Sequence, residues 1–533
     1  CRYFFRMEDL NMIKKIILLF KIARKLGKSD ALNIAAGTYK PPLFIKIFFL
    51  IFGFRIYKSS HTDKNKTPGQ RLCISIQEMG TTFIKLGQFL ATRPDIIGED
   101  LSKDLEVLQD KLPPFSKSQA IKILKEGLGE NVLKDITEIT EPIAAASIAQ
   151  VHFAKINIDG QTKDVAIKIL RPSIKEIFNE EIDALMLLAY LTENFVSKTK
   201  RLKLVEVVHL LREITNLEMD LRFEASAANE LYENTKNDIG IKVPKIYWNF
   251  TSNNILTLDK IEGISIREKK LLEKNGINVK KLSKNIIQHF LRQAVRDGFF
   301  HADMHQGNIF VNKYGNIIPI DFGIMGRLDK LNKRYLAEIL YGFIKRDYKK
   351  VAEVHKIAGL VPQNVSIEEF SQALRSIGEP IFGQSVKNIS GSKLLKQLFD
   401  ITEKFNMQTQ PQLILLQKTM VVVEGVARKL DPDTNIWETS KPILENWLEK
   451  TKDPLNKFNE TITNATEVIK RLPEFPEIMD KANQALTMIA EGKISPKSSS
   501  YSSLKEEEAK MQKFKNNFIF SFLTLVIIAL LIF

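Results

Sequence analysis

The 533-residue sequence predicts an α+β fold in two lobes, with a helical extension ahead of it and a membrane helix behind it. Three observations lead there. Between 140 and 265, strand-like runs at 165–170 and 255–258 mix with helical stretches at 174–198 and 205–234. From 329 to 493 apolar residues recur at helical spacing, punctuated by Pro362, Pro380, Pro411, Pro432, Pro454, Pro473 and Pro476. The last 16 residues, 518–533, are apolar and carry no charge.

From the N-terminus, 1–60 reads as a basic amphipathic or interfacial segment. Ile13, Ile16, Ile17 and Phe20 fall at helical spacing among Lys14, Lys15, Lys21, Arg24 and Lys25. The chain opens on Cys1, and Met7 is the expected start. The apolar core of that helix is too short for a secretion signal, and no small-residue cleavage site follows. The 12-residue run 43–54 contains Lys46, which suits an interfacial or buried segment better than a span. Residues 61–135 form the helical extension, 136–265 the first lobe with a helical insertion, and 266–493 the helical second lobe. Residues 494–515 are a Ser-rich, then charged, linker to a transmembrane tail at 516–533. The apolar part of that tail, as a helix about 24 Å long, is slightly short for a bilayer core. Lys510, Lys513 and Lys515 before it place the N-terminal bulk on the cytoplasmic side.

Composition narrows the chemistry. Lys and Arg exceed Asp and Glu by 78 to 63, a net +15 that suits anionic lipid, nucleic acid or a phosphate ligand without choosing among them. With Cys1 and Cys73 alone there is neither a disulfide framework nor a CxxC motif, in keeping with a reducing compartment.

The chemistry is carried by His301-Ala302-Asp303-Met304-His305-Gln306-Gly307-Asn308, then two short strands joined by a Lys-Tyr-Gly-Asn turn, then Asp321-Phe322-Gly323. That order and spacing is the catalytic loop, hairpin and metal-binding turn of a phosphoryl transferase of protein-kinase-like fold. Asp303 is expected to orient or deprotonate the attacking group. Asn308 and Asp321 are expected to hold Mg²⁺ against the phosphates of ATP. His301 and His305 lack the further ligands of a tetrahedral metal site and are expected to orient the loop. Upstream, Val165-Ala166-Ile167-Lys168 matches the strand that brings a lysine to the α- and β-phosphates. Its acidic partner is expected to be Glu224, 56 residues on, which implies a helical insertion at roughly 172–204.

Two departures set the chain apart from an ordinary protein kinase. Where a Gly-rich loop would cover the phosphates stand Ala144, Ala145, Ala146 and Ser147, and each Cβ restricts positive φ and close backbone approach. After Asp321-Phe322-Gly323 the pattern turns helical from Leu328, with no Ala-Pro-Glu motif to dock a protein substrate.

Lys85-Leu86-Gly87-Gln88, the alanine loop ending Gln150-Val151-His152, Glu218-x-Asp220 and the His301–Asn308 motif together resemble the UbiB family of atypical kinase-like proteins, over about residues 70–330. The resemblance implies a kinase-like fold with ATPase activity, a tie to membranes and a role in ubiquinone biosynthesis. It implies that Lys85 and Gln88 lie over the active site, and that Glu218 and Asp220 meet that lysine. Expected partners are ATP, membrane lipid, quinone-precursor lipids and other ubiquinone-biosynthesis enzymes, not nucleic acid. The expected location is a bacterial inner membrane with the catalytic domain cytoplasmic. Family members usually end in two membrane helices, whereas one short span is visible here, so either the C-terminus is truncated or this member anchors differently. Other readings are a polyprenylphenol hydroxylase, a nucleotide-binding scaffold and a small-molecule phosphotransferase. The absence of a GxGxxG fingerprint and of an iron-ligand pattern argues against the first. The Lys85–Gln88 and alanine-loop motifs argue against the last.

Overall fold

Thr67 accepts a hydrogen bond from the backbone of Gln70, whose side chain accepts in return from the Thr67 N–H. This capping box, with Pro68 behind it, starts α1 (Pro68–Met79). The computed structural model describes residues 67–91, 97, 99–105, 108, 112–195, 203–383 and 411–452, with 18, 401, 404, 405 and 407 singly. Gly80 separates α1 from α2 (Thr81–Ala91), and α3 (Glu99–Leu105) completes the extension. On α2, Phe83, Ile84 and Gly87 face inward and put Lys85 on another side of the helix. A Cβ at Gly87 would meet Leu108 Cδ1 at 2.4 Å, so the close seating of α2 depends on that glycine.

Next come α4 (Lys117–Leu128) and α5 (Glu130–Lys134), then β1 (Ile136–Thr137), β2 (Ala144–Ala145), β3 (Ala149–Ile158) and β4 (Gln161–Leu170). Asp159 and Gly160, at φ of 48° and 76°, make the two-residue turn that fits the twist of an antiparallel hairpin, and Ile158 pairs with Gln161 across it. After the helical insertion, β5 (Ile255–Asp259) pairs antiparallel with β4, giving the order β1-β3-β4-β5 with β2 also on β3. Ile167 and Ile169 are buried with Val165, Ile156, Ile255, Ala120 and Leu124. A buried Ile contributes about 1.5–3 kcal/mol, so this face fixes the register. Alternation then turns Lys168 to the opposite face.

The insertion is longer than expected. It holds two helices, α6 (Ile174–Phe195) and α7 (Leu204–Glu218), and the stretch 205–234 is divided by a break before α8 (Leu221–Thr235). Asp220 makes that break: at φ −118° and ψ 98° it is extended, and its carboxylate accepts from the Arg222 N–H to cap α8.

The second lobe begins with β6 (Ile264–Ser265), α9 (Lys269–Lys274) and α10 (Val279–Leu291), which runs into a π-helical turn, Arg292–Asp297. Then follow β7 (Phe299–His301), β8 (Ile309–Val311), β9 (Ile317–Pro319) and β10 (Met325–Arg327). The β8–β9 hairpin matches the two strands expected between the motifs, and β6 pairs with β8. Gly298, at φ 69° with Leu328 O 2.5 Å from where a Cβ would sit, is a position only glycine fits. The helix expected from Leu328 starts later. β10 first pairs with β7, and Asp329 then caps α11 (Lys330–Lys345) by accepting from the Asn332 N–H. The remaining described helices are α12 (Tyr348–Ile357), α13 (Ile367–Gly383), α14 (Pro411–Leu430) and α15 (Ile436–Lys452). Phe343, Tyr348, Val351, Phe370 and Leu374 make their own core.

Apart from residue 18, the basic segment 1–60 lies outside the described residues, as do the linker 494–515 and the expected tail 516–533. Among the described residues no helix is long and apolar enough to cross a membrane.

Candidate active site

Lys168 leaves the cleft face of β4 with its Nζ 2.8 Å from both carboxylate oxygens of Glu224, in the first turn of α8. Asp321 Oδ1 lies 3.6 Å from the same Nζ. Glu224 Oε1 also accepts from the Phe322 N–H at 3.4 Å, so one carboxylate joins strand, helix and the Asp321-Phe322-Gly323 turn. Glu224 is 8% exposed, and burial pushes its carboxyl up to about 7 against the pull of Lys168. Burial would lower the Lys168 ammonium, but Asp321 and Glu224 together hold it above its usual value. Lys168 in turn holds Asp321 well below the usual carboxylate range. The two partners pull Glu224 in opposite senses. The two 2.8 Å contacts favour the charged pair, because a neutral acid would not accept from the ammonium at both oxygens.

The catalytic loop holds itself by local hydrogen bonds. Asn308 Nδ2 donates to Asp303 Oδ2 at 3.0 Å and to the Asp303 carbonyl at 3.2 Å, which fixes the side chain and its peptide together. The Ile320 N–H donates to the Asn308 carbonyl at 3.1 Å and brings Asp321 beside that loop. His301 is fully buried, and its Nδ1 accepts from the Asp303 N–H at 3.1 Å. Burial lowers the pKa of that imidazole and keeps it neutral. Its proton therefore sits on Nε2, which closes no hydrogen bond although it approaches the Asp321 backbone. His305 Nδ1 accepts from the Gly307 N–H at 2.9 Å. Both histidines thus spend a ring nitrogen on the loop backbone, as expected of residues that orient it. Gly307 leaves the space this requires, since a Cβ there would lie 2.6 Å from both the His305 ring and Arg267 Nη2.

The donor set suits a hard cation. Gly323 N–H occupies Asp321 Oδ1 at 3.1 Å and leaves Oδ2, and Asn308, donating through Nδ2, leaves its amide oxygen. Among the described residues no three His, Cys, Asp or Glu side chains gather to enclose a metal. One carboxylate, one amide oxygen and the oxygens of a phosphate substrate are the kind of set magnesium takes.

The alanine loop is placed but differently held than its composition suggested. Ala144 and Ala145 are β2, paired to Val151 and Gln150. The Ala146 carbonyl accepts from Arg171 at 2.8 and 3.1 Å, and Arg171 also donates to the Pro113 and Leu112 carbonyls. Ser147 is buried, its carbonyl accepting from Thr81 Oγ1 at 3.1 Å, where α2 begins. Arg171 was not legible from the motif, and its one signal is its place three residues beyond Lys168, just past the end of the same strand. Gln150 and His152 face inward: Gln150 bonds the Phe115 backbone in both directions and meets His152 Nε2 at 2.8 Å. These two conserve the shape of the loop's root; they do not face the cleft.

Lys85 on α2 reaches Glu218 Oε2 at 2.7 Å, at the end of α7. That oxygen closes no directed hydrogen bond, so the contact is coulombic. Asp220 does not share it. Its carboxylate binds Arg222 at 2.6 and 2.9 Å, which lowers its pKa, and it caps α8. The expectation that Glu218 and Asp220 both meet Lys85 therefore holds for Glu218 alone, because the residue that ends α7 and starts α8 is committed to the cap. Gln88, one turn on from Lys85, is half-buried on the same helix.

The ABC1 atypical kinase-like domain matches residues 107–355, and the UbiB helical domain matches 374–435. A protein named "Probable protein kinase UbiB" from Marinobacter nauticus is 38% identical over 449 residues, 83% of this chain and 80% of that protein. One of the same name from Histophilus somni is 37% identical over 482 residues, 89% of this chain and 87% of that protein. A solved structure, the complex of Rv3197 with erythromycin from Mycobacterium tuberculosis, overlaps with a TM-score of 0.47 at 24% identity, covering 70% of this chain and 94% of that one. With 37–38% identity to the two UbiB relatives over most of both chains, and with the lysine, glutamate and loop aspartate arranged as a kinase-like site, this chain belongs to the UbiB family of atypical kinases.

Proposed function

We propose that this chain is an ATP-using atypical kinase or ATPase that supports ubiquinone biosynthesis at the cytoplasmic face of a bacterial inner membrane. The observation that carries the ATP reading is the single cluster in which Lys168, held by Glu224, meets Asp321 beside the Asp303–Asn308 pair. Lys168 binds the α- and β-phosphate oxygens, and Glu224 keeps its ammonium aimed into the cleft. Asp321 Oδ2 and the Asn308 amide oxygen would hold Mg²⁺, which when bound neutralises charge on the phosphate oxygens. Asp303, its carboxylate fixed by Asn308, orients the attacking hydroxyl or water and takes its proton. The ubiquinone role follows from the family and its relatives' names, and the membrane setting from the expected tail and basic N-terminal segment.

The test is Mg²⁺-dependent ATP hydrolysis by the purified full chain, with Asp321→Asn alongside. Equal turnover by the variant sinks the site assignment. Ubiquinone content of cells lacking the chain, restored by wild type and not by Asp321→Asn, tests the pathway. Restoration by both separates a scaffold from an enzyme.

A further inference from the structure

The peptide immediately before Asp303 is gripped at both ends. Its N–H, on Asp303, donates to His301 Nδ1 at 3.1 Å. Its carbonyl, on Ala302, accepts from Thr419 Oγ1 at 3.0 Å. The first grip is local. The second comes from α14, 117 residues away in sequence and inside the helical domain that follows the kinase-like one.

Thr419 is 1% exposed, so water does not stand in for it. Its hydroxyl has one proton and two carbonyls in reach, Ala302 at 3.0 Å and Leu415 at 2.7 Å. Leu415 O, four residues back on α14, also receives the helix's own N–H. Ala302 uses its N–H on the Ile324 carbonyl, and among the described residues no backbone N–H reaches its oxygen. The proton therefore does more on Ala302, where its loss strands a carbonyl. Beyond that peptide, Asn308 fixes both the carbonyl and the carboxylate of Asp303. Rotation of the Ala302–Asp303 peptide about the chain would swing the carboxylate, and Thr419 is the grip on that rotation that comes from outside the loop.

We infer that Thr419 is a positioning residue for Asp303, through which the helical domain sets the working geometry of the catalytic loop. The inference rests on Asp303 acting in phosphoryl transfer, and its test has one arm independent of that. Amide hydrogen exchange on the full chain reads the loop directly. Thr419→Val, close in shape but without the hydroxyl, raises exchange in the peptide covering 300–308 by about tenfold, while Thr419→Ser stays within about twofold of wild type. ATP turnover follows in parallel: kcat of Thr419→Val falls about tenfold with the KM for ATP unchanged, and serine restores it. Unchanged loop exchange in Thr419→Val overturns the proposal, as does serine failing as badly as valine. If valine prevents folding, Thr419→Ala against Thr419→Ser decides it, equal exchange in the two being the overturning result. A wild-type chain that hydrolyses no ATP would sink the proposed function and leave the exchange result to decide the grip.

Discussion

Two lysines singled out by the motifs are held in different ways. Lys168 has both oxygens of a buried Glu224 at 2.8 Å and a second carboxylate, Asp321, at 3.6 Å. Lys85 meets Glu218 at 2.7 Å without a directed hydrogen bond, the two side chains 14% and 19% exposed. The first is woven into three elements, and the second joins α2 to α7. A cation that must meet phosphate needs a fixed position more than a strong bond, and Glu224 supplies it by bonding the Phe322 backbone as well. Lys85 meets one oxygen, Glu218 Oε2, where Lys168 has both oxygens of Glu224.

The largest expected effect falls on the chemistry. Asp303→Asn should lower ATP turnover by about 10²–10⁴-fold with little change in melting temperature, measured by steady-state hydrolysis. Turnover within about twofold of wild type would remove Asp303 from the mechanism. Lys168→Met comes next, because it leaves Glu224 buried beside Asp321 with no cation. Chemical denaturation should show a loss of about 3–5 kcal/mol, partly recovered by adding Glu224→Gln. A mild, additive pair of effects would mean that the lysine is held by something else.

A smaller loss comes with acid and touches neither lysine. His289 is 2% exposed, and burial, with Arg292 nearby, lowers its pKa to about 4. Its folded value lies below its unfolded one, so the unfolded chain binds the extra proton. Stability is then full above about pH 6.5 and falls between there and pH 4, by on the order of 3 kcal/mol. Urea midpoints across that range should show the fall, and His289→Gln should reduce it, leaving the share of His301 and His355, whose pKa values burial also lowers. Smallest is the Lys85–Glu218 pair: a double-mutant cycle with Lys85→Ala and Glu218→Ala should give a coupling below that of Lys168 and Glu224, because no directed hydrogen bond adds to the coulombic contact. Coupling as large as that of Lys168 and Glu224 would erase the distinction between the two lysines.

What the sequence made legible was local. Asp303 and Asn308 are five residues apart, and a short loop is enough to bring them together. The Asp159-Gly160 turn and the β8–β9 hairpin follow from residues that set their own φ and pairing. Lys168 and Glu224 were paired across 56 residues because kinase order demands such a pair, not because any local signal joins them. Asp220 shows the limit: as the second acid of a motif it read as a partner for Lys85, but an Asp at a helix start has backbone N–H groups within reach, and the cap won. Likewise β10, three residues just ahead of the helical period from Leu328, was missed because it is set by pairing with β7. Arg171 and Thr419 were invisible because each binds backbone carbonyls, which leave no mark on the residue types around them.

The position of Lys168 also bears on how the two lobes are joined. Its strand belongs to the first lobe and Asp321 to the second, while Glu224 bonds toward both. Pulling the lobes apart would part Asp321 from Lys168 and the Phe322 N–H from Glu224, while the Lys168–Glu224 pair stays whole within the first lobe. The two lobes therefore meet at a preformed pair, and a nucleotide that reaches Lys168 meets a cation already held in place.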